Sequence, residues 1–337
     1  MSVSRRGFLA MAGGVGTLLA LAACGESAPA PVATAAQTSA APAGPWTFTD
    51  DRGKKIELPR RPTRVVAQVG SAAALWDFGI RPVAVFGPHK LKSGEKDPQV
   101  GNVDITKVTG LGNVWDEFNV EQYIALQPEL LVSSMYVKGT LWYVPDKSKD
   151  TIEQVAPTAG VMLTGQSAAQ VIGKYAELAQ SLGADLNAPE VSSAKARFEA
   201  ATEELKKISA TGLKVLMMSG GPDTMWVVNP PEYPDIVHLT QSGLDVVTPD
   251  KVDEGGFFQS LSWENADKYD ADVILYDART QALKLEEMMK KPTFAKLLAV
   301  KAGHVYPWRA EAPFSYQGYA DYLEELVANL KKAGQES

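Results

Sequence analysis

Between Asn187 and Gly212 the apolar residues Val191, Ala194, Phe198, Ala201, Leu205 and Ile208 recur at intervals of three and four. That spacing puts them on one narrow stripe of a helix. Glu190, Lys195, Arg197, Glu199, Glu203, Glu204, Lys206 and Lys207 cover the remaining faces. The segment is therefore expected to be a single long helix, packed on one side and wet on the other. Asn187 is placed to cap its start, with Glu190 closing a capping box, Lys206 and Lys207 sit at the negative end of the dipole, and Gly212 stops it. At about 1.5 Å per residue the helix runs roughly 34 Å, the width of a small domain. It is either one more surface helix of a single domain or a strut between two halves, and the flanking sequence favours the strut.

Before the helix, Trp46 to Leu58 alternates around an Asp-Arg-Gly turn, as a hairpin does. Short, mostly apolar strands are expected at 64–69, 83–86, 130–133 and 161–163. Helices alternate with them at 72–78, with Ser71 as cap, and at 119–126, 151–155 and 168–182. After it, strands at 214–218, 225–228, 273–276 and 304–307 alternate with helices at 235–241, 284–290, 294–298 and 316–333, repeating the same grammar. The expected fold class is α/β, two α/β lobes joined by one long helix, with domains at 46–186 and 213–337 and the connector at 187–212. The roughly 290 residues from Trp46 onward are more than one ordinary core holds.

The first 45 residues read as export rather than structure. Ser4-Arg5-Arg6-Gly7-Phe8-Leu9 is a twin-arginine entry followed by an uncharged apolar run, too short and too rich in Gly and Ala for a membrane span. Leu21-Ala22-Ala23-Cys24 resembles a bacterial lipobox, so 1–23 is expected to be a signal peptide and Cys24 the lipidated residue. Residues 24–45, rich in Ala, Pro, Thr and Ser, then form a tether at the outer face of the cytoplasmic membrane. The net charge of −7 becomes −9 once Arg5 and Arg6 leave with the signal, which argues against nucleic acid as a partner.

Each half contains a similar unit. Glu121 stands eight residues before Glu129 in EQYIALQPELLV, and Glu264 stands eight before Asp272 in ENADKYDADVIL. Together with the lipoprotein signal and the connecting helix, these units resemble the substrate-binding lipoproteins of ABC importers that serve ferric siderophores, haem and cobalamin. That resemblance covers the chain from Trp46 onward. It implies a class III periplasmic-binding-protein type of fold, a monomer with its ligand cleft between the lobes, and docking of Glu121 and Glu264 into arginine pockets of a permease. It also implies ligand contacts from loops at the carboxyl ends of the strands. Mapped onto this chain, those loops supply Tyr136, Trp142, Tyr143, Trp226, Phe257, Phe258, Tyr276 and Trp308 as ring walls, with Arg279 and Arg309 as cations. The plainer roles are core packing for the rings and internal pairing for the arginines, Arg279 with Asp277 and Arg309 with Glu311.

The three histidines, His89, His238 and His304, are far apart in sequence, so no directly bound metal is expected and iron would be held by the siderophore. Catecholate and carboxylate complexes carry several negative charges and call for several cleft cations. A ferric hydroxamate is neutral at its metal centre and needs only one or two guanidinium groups beside aromatic walls. The balance tilts toward hydroxamates of the ferrioxamine kind, with haem, cobalamin and catecholates as alternatives. No Walker loop or Gly-x-Ser-x-Gly elbow is present, so the chain is not expected to be an enzyme, a secreted hydrolase being the minor alternative.

Overall fold

A computed structural model describes residues 44–335; the signal peptide, Cys24 and nearly all of the tether lie outside the described residues. The chain opens with the hairpin β1 (Trp46–Thr49) and β2 (Lys55–Leu58). Next come β3 (Val65–Gln68), α1 (Val69–Asp77), β4 (Ala84–Phe86), β5 (Thr109–Gly110), α2 (Val120–Ala125), β6 (Leu130–Met135), α3 (Lys149–Val155), β7 (Thr158–Met162) and α4 (Ala168–Ser181). The long helix is α5 (Pro189–Ser209). After it stand β8 (Lys214–Gly220), β9 (Thr224–Val228), α6 (Pro234–Gln241), β10 (Asp245–Val246), β11 (Phe258–Ser262), β12 (Val273–Asp277), α7 (Leu285–Met288), α8 (Leu298–Lys301), β13 (Val305–Trp308) and α9 (Tyr316–Gln335).

The first sheet has the order β5-β4-β3-β6-β7 and is parallel throughout. Its strands are apolar runs because both faces are covered, and every residue of β3, β4 and β6 is buried. The second sheet, ordered β11-β9-β8-β12-β13 with β10 also on β8, departs from the expected repeat. β9 pairs antiparallel with both β8 and β11; Gly221-Pro222-Asp223 reverses the chain between β8 and β9, and the Gly221 N–H donates to the Thr224 carbonyl at 2.8 Å. Two-residue β10 and the five residues of β11 were not expected from the sequence. Phe258, expected in a loop, opens β11.

The six stripe residues of α5 are its buried residues. Val191, Phe198, Ala201, Leu205 and Ile208 enter a core that includes Val65 and Val132 of the first sheet and Val215 and Leu275 of the second, so the helix packs into apolar material common to both. Its outer face pairs with α9, where Arg197 reaches Asp321 and Glu324, and Lys331 reaches Glu204. The expected capping box does not form. Pro189 occupies the first helical position, where its missing N–H costs nothing, Ala188 is the cap, and Asn187 donates its backbone N–H to Asp185. Helix α1, by contrast, starts earlier than expected. The Gln68 side chain caps Gly70 and Ser71, and the Ser71 hydroxyl is buried inside the helix against that of Tyr175 at 2.7 Å.

The paired acidic units prove to be one device used twice. Glu129 donates its N–H to the Arg64 carbonyl at 2.8 Å and accepts the Arg64 N–H on Oε2 at 3.0 Å. Asp272 makes the same exchange with Lys214, both bonds at 2.8 Å. In each half the acidic residue before β6 or β12 clamps the entry of the neighbouring central strand, β3 or β8.

Asp235, in the first turn of α6, is buried and accepts the Trp308 indole N–H at 2.5 Å. Burial pushes its carboxyl up to about 6, against the lowering effect of that indole. Because the folded pKa exceeds the unfolded one, the native state binds the proton more tightly, and this group stabilises the fold as pH falls from about 6 to about 4. Asp235→Asn keeps an oxygen for the indole and removes the charge. The variant is expected to be up to about 3 kcal/mol more stable than wild type at pH 7 and to converge with it near pH 4, at about 1.4 kcal/mol per pKa unit. Denaturant melts of both proteins across that range check this, and parallel curves would contradict it.

Candidate functional site

Three loops at the carboxyl ends of the first sheet stand together: 87–90 after β4, 112–118 after β5 and 136–143 after β6. The last is pinned to its own strand, since Trp142 donates its N–H to the Ser134 carbonyl at 2.9 Å and the Ser133 hydroxyl donates to the Trp142 carbonyl at 2.9 Å. Tyr143 is held at φ 63°, a conformation costing a non-glycine residue on the order of 1 kcal/mol, with its ring against the Cα of Gly87.

From these loops a row of rings crosses to the second sheet. Trp115 meets Trp142 at 4.7 Å and Tyr143 at 5.1 Å, Trp142 meets Tyr136 at 4.8 Å, and Tyr136 meets Phe257 at 6.2 Å. Tyr233 continues it, touching Phe257, Phe258 and Trp308. Tyr136, Trp142, Tyr143, Phe257 and Phe258 are thus brought together as the sequence suggested.

The other expected rings are placed differently. Trp308 is fully buried beneath Tyr233 with its indole N–H spent on Asp235, so it is core and cannot touch a ligand. Tyr276 points to the opposite face of its strand, where it packs beside Leu283 and Leu285 against the second core. Alternation along β12 explains both this and the inward direction of Asp277. Trp226 shares a sheet face with Ser219, and its ring lies against Gly221.

Arg279 sits beside the row and is already engaged. Its Nε and Nη2 donate to Asp277 at 3.0 and 2.8 Å, and its Nη1 donates to Glu311 at 2.7 Å. Asp277 also accepts the Ser219 hydroxyl at 2.8 Å and is fully buried. One guanidinium therefore faces two carboxylates. Glu311 is Arg279's second partner rather than that of Arg309, which is half-exposed and pairs with Glu325 on α9. Burial pushes the Glu311 carboxyl up, with Arg279 opposing.

A cavity of about 460 Å³ opens beside this network, lined among others by Asp97, Gln99, Arg279, Arg309 and Glu311. A small inner pocket bounded by Gln68, Ser134, Tyr136, Trp142 and Glu311 adjoins it. The larger volume falls in the range of small-molecule sites. Burial pushes the Tyr143 phenol up to about 12 and that of Tyr136 well above its ordinary value, so both stay neutral hydrogen-bond donors. Among the described residues no group of three His, Cys, Asp or Glu side chains is placed to hold a metal ion.

Trp115 and Tyr233 were not anticipated, and Glu311 was named only as a partner for Arg309. β5 is only two residues long, so the loop that carries Trp115 gave no strand signal, and Glu311 follows a strand end already assigned to Arg309. Glu121, in the first turn of α2, and Glu264, in the short turn 263–265, are both exposed.

Two α/β lobes with a helix between them, and loops of both meeting over one cavity, define a binding protein of the class III type. The model of the periplasmic binding protein family matches residues 66–312, and the chain belongs to that family of exported substrate-binding proteins. It is similar to DesE, a ferric-siderophore receptor protein from Streptomyces coelicolor, with 38% identity over 85% of this chain and 98% of DesE and a TM-score of 0.81. The siderophore periplasmic binding protein from the fuscachelin gene cluster of Thermobifida fusca shares the fold at 22% identity, covering 80% of this chain and 97% of its own, with a TM-score of 0.59. A FhuD fold-family periplasmic binding protein from Bacillus subtilis does so at 20% identity, with 85% and 100% coverage and a TM-score of 0.57. No curated protein sequence matches the chain.

Proposed function

We propose that this protein captures a ferric siderophore, a hydroxamate of the ferrioxamine type, and delivers it to an ABC permease for iron uptake. The observation that carries the ligand class is the row of rings beside an arginine whose charge Asp277 and Glu311 already offset. A catecholate complex with several negative charges would meet carboxylates in excess and lose its hydration without compensation. A chelate neutral at its metal asks for little more than apolar walls and a few donors, which Trp142, Tyr136, Tyr143 and Phe257 supply. Similarity to DesE supports the siderophore reading. Haem on a tyrosinate is disfavoured, because the tyrosine would have to ionise against the burial that raises its pKa. Catalysis is not part of this reading.

In the same proposal, lipid on Cys24 keeps the protein, as a monomer, at the outer face of the membrane, and exposed Glu121 and Glu264 present the loaded lobes to the permease. The lobes are 46–186 and 213–337, with 187–212 between them. Their common core favours a closure of a few degrees over a wide hinge swing. Uptake of radioiron as ferrioxamine by cells deleted for this protein tests the function. Transport is expected to fall at least tenfold and to return with the full-length gene but not with Cys24→Ala. Unchanged uptake in the deletion, with ferric catecholate uptake lost instead, would overturn the ligand class.

A further inference from the structure

We propose that Trp115 is the outer wall of the ligand site, covering the hydrocarbon skeleton of the bound ferric chelate and setting how long it stays. The inference rests on the siderophore reading above and adds a contact that reading does not require. Val114 and Trp115 are 60% and 49% exposed, an uncommon investment of apolar surface in one short loop. Flexibility does not account for it, because the loop is braced. The Glu117 carboxylate accepts the N–H groups of Asn113 and Val114 at 2.7 and 3.2 Å, and these bonds hold it below the usual carboxylate range. The Asn113 amide ties the loop to its neighbour, accepting from the N–H groups of His89 and Lys90 and donating to the Lys90 carbonyl. Gly112 admits no side chain, since a Cβ there would lie 2.0 Å from the Glu117 carbonyl oxygen.

A fixed loop thus holds an indole edge-on to Trp142 and Tyr143 while leaving half of it in water. Continuity with the ring row identifies what covers the open half. A chelate lying on Trp142 and Tyr136 has its apolar perimeter beside Trp115, and covering an indole already fixed in place costs little ordering entropy.

The test uses the full chain, ferrioxamine as probe and stopped-flow tryptophan fluorescence. Trp115→Ala is expected to raise the dissociation rate about tenfold or more with little change in association rate, and to leave the thermal midpoint unchanged, as suits a surface residue. Trp115→Phe is expected to recover most of the residence time while quenching less on binding, because an indole close to the iron chelate is gone. Wild-type dissociation and quenching in Trp115→Ala would overturn the assignment and leave the siderophore reading standing. Normal binding with impaired uptake would make Trp115 a transporter contact instead. Failure of the wild type to bind any ferric chelate would remove both readings.

Discussion

Reversing charge at both Glu121 and Glu264, as Glu121→Lys with Glu264→Lys, is expected to abolish iron uptake while leaving ferrioxamine affinity within about twofold of wild type. Both side chains are exposed, and neither borders the cavity beside Arg279. A reversed charge there has no buried partner to strand. Against a basic pocket, by contrast, each reversal replaces attraction with repulsion, which costs several kcal/mol when like charges are juxtaposed at an interface. Each single reversal is expected to give an intermediate uptake defect, because the two residues sit at matching places in the two halves. Uptake assays paired with affinity measurements on the same variants decide the matter. Lost affinity would place the carboxylates on the ligand face, and full uptake by the double variant would remove their docking role.

Glu311→Gln is expected to shift ligand preference rather than weaken binding in general. Its oxygen still accepts from Arg279 Nη1, so the network keeps its geometry and loses one negative charge. At an effective dielectric constant of about 20, a unit charge several ångströms away is worth on the order of 2 kcal/mol for each charge on the ligand. A ferric catecholate with several negative charges should therefore gain about tenfold or more in affinity, whereas ferrioxamine should change by less than about threefold. Equal shifts for both chelates would show that charge does not govern selection here.

How far the sequence could be read follows from which forces leave local marks. The stripe of α5 was legible because Val191 to Ile208 repeat with the helix period and every member is buried. Its first turn was misread because two start signals competed, and Pro189 with its fixed φ prevailed over Asn187. The repeated acidic units were visible as spacing, but what they do, clamping Arg64 and Lys214, depends on strand pairing that no local pattern records. Among the rings, Tyr136, Trp142, Tyr143 and Phe257 on loops stand in or beside one row, Tyr276 and Trp308 on strands turn into the cores, and Trp115, on a loop after a two-residue strand, was not anticipated. One step along β12 turns Tyr276 into the second core and Asp277 toward Arg279. Glu311 was paired with Arg309, its near neighbour in sequence, because its actual partner Arg279 lies 32 residues away, across β12 and β13.

The most direct measurement is a titration of intrinsic tryptophan fluorescence with ferrioxamine and with a ferric catecholate in parallel. Trp142 and Trp115 stand in the row, so a ferric chelate seated there must quench them. The expected result is saturable quenching by ferrioxamine in the submicromolar range and at least tenfold weaker binding of the catecholate. Tighter binding of the catecholate would contradict selection by a cleft whose arginine is already neutralised, and no response to either would contradict siderophore capture itself.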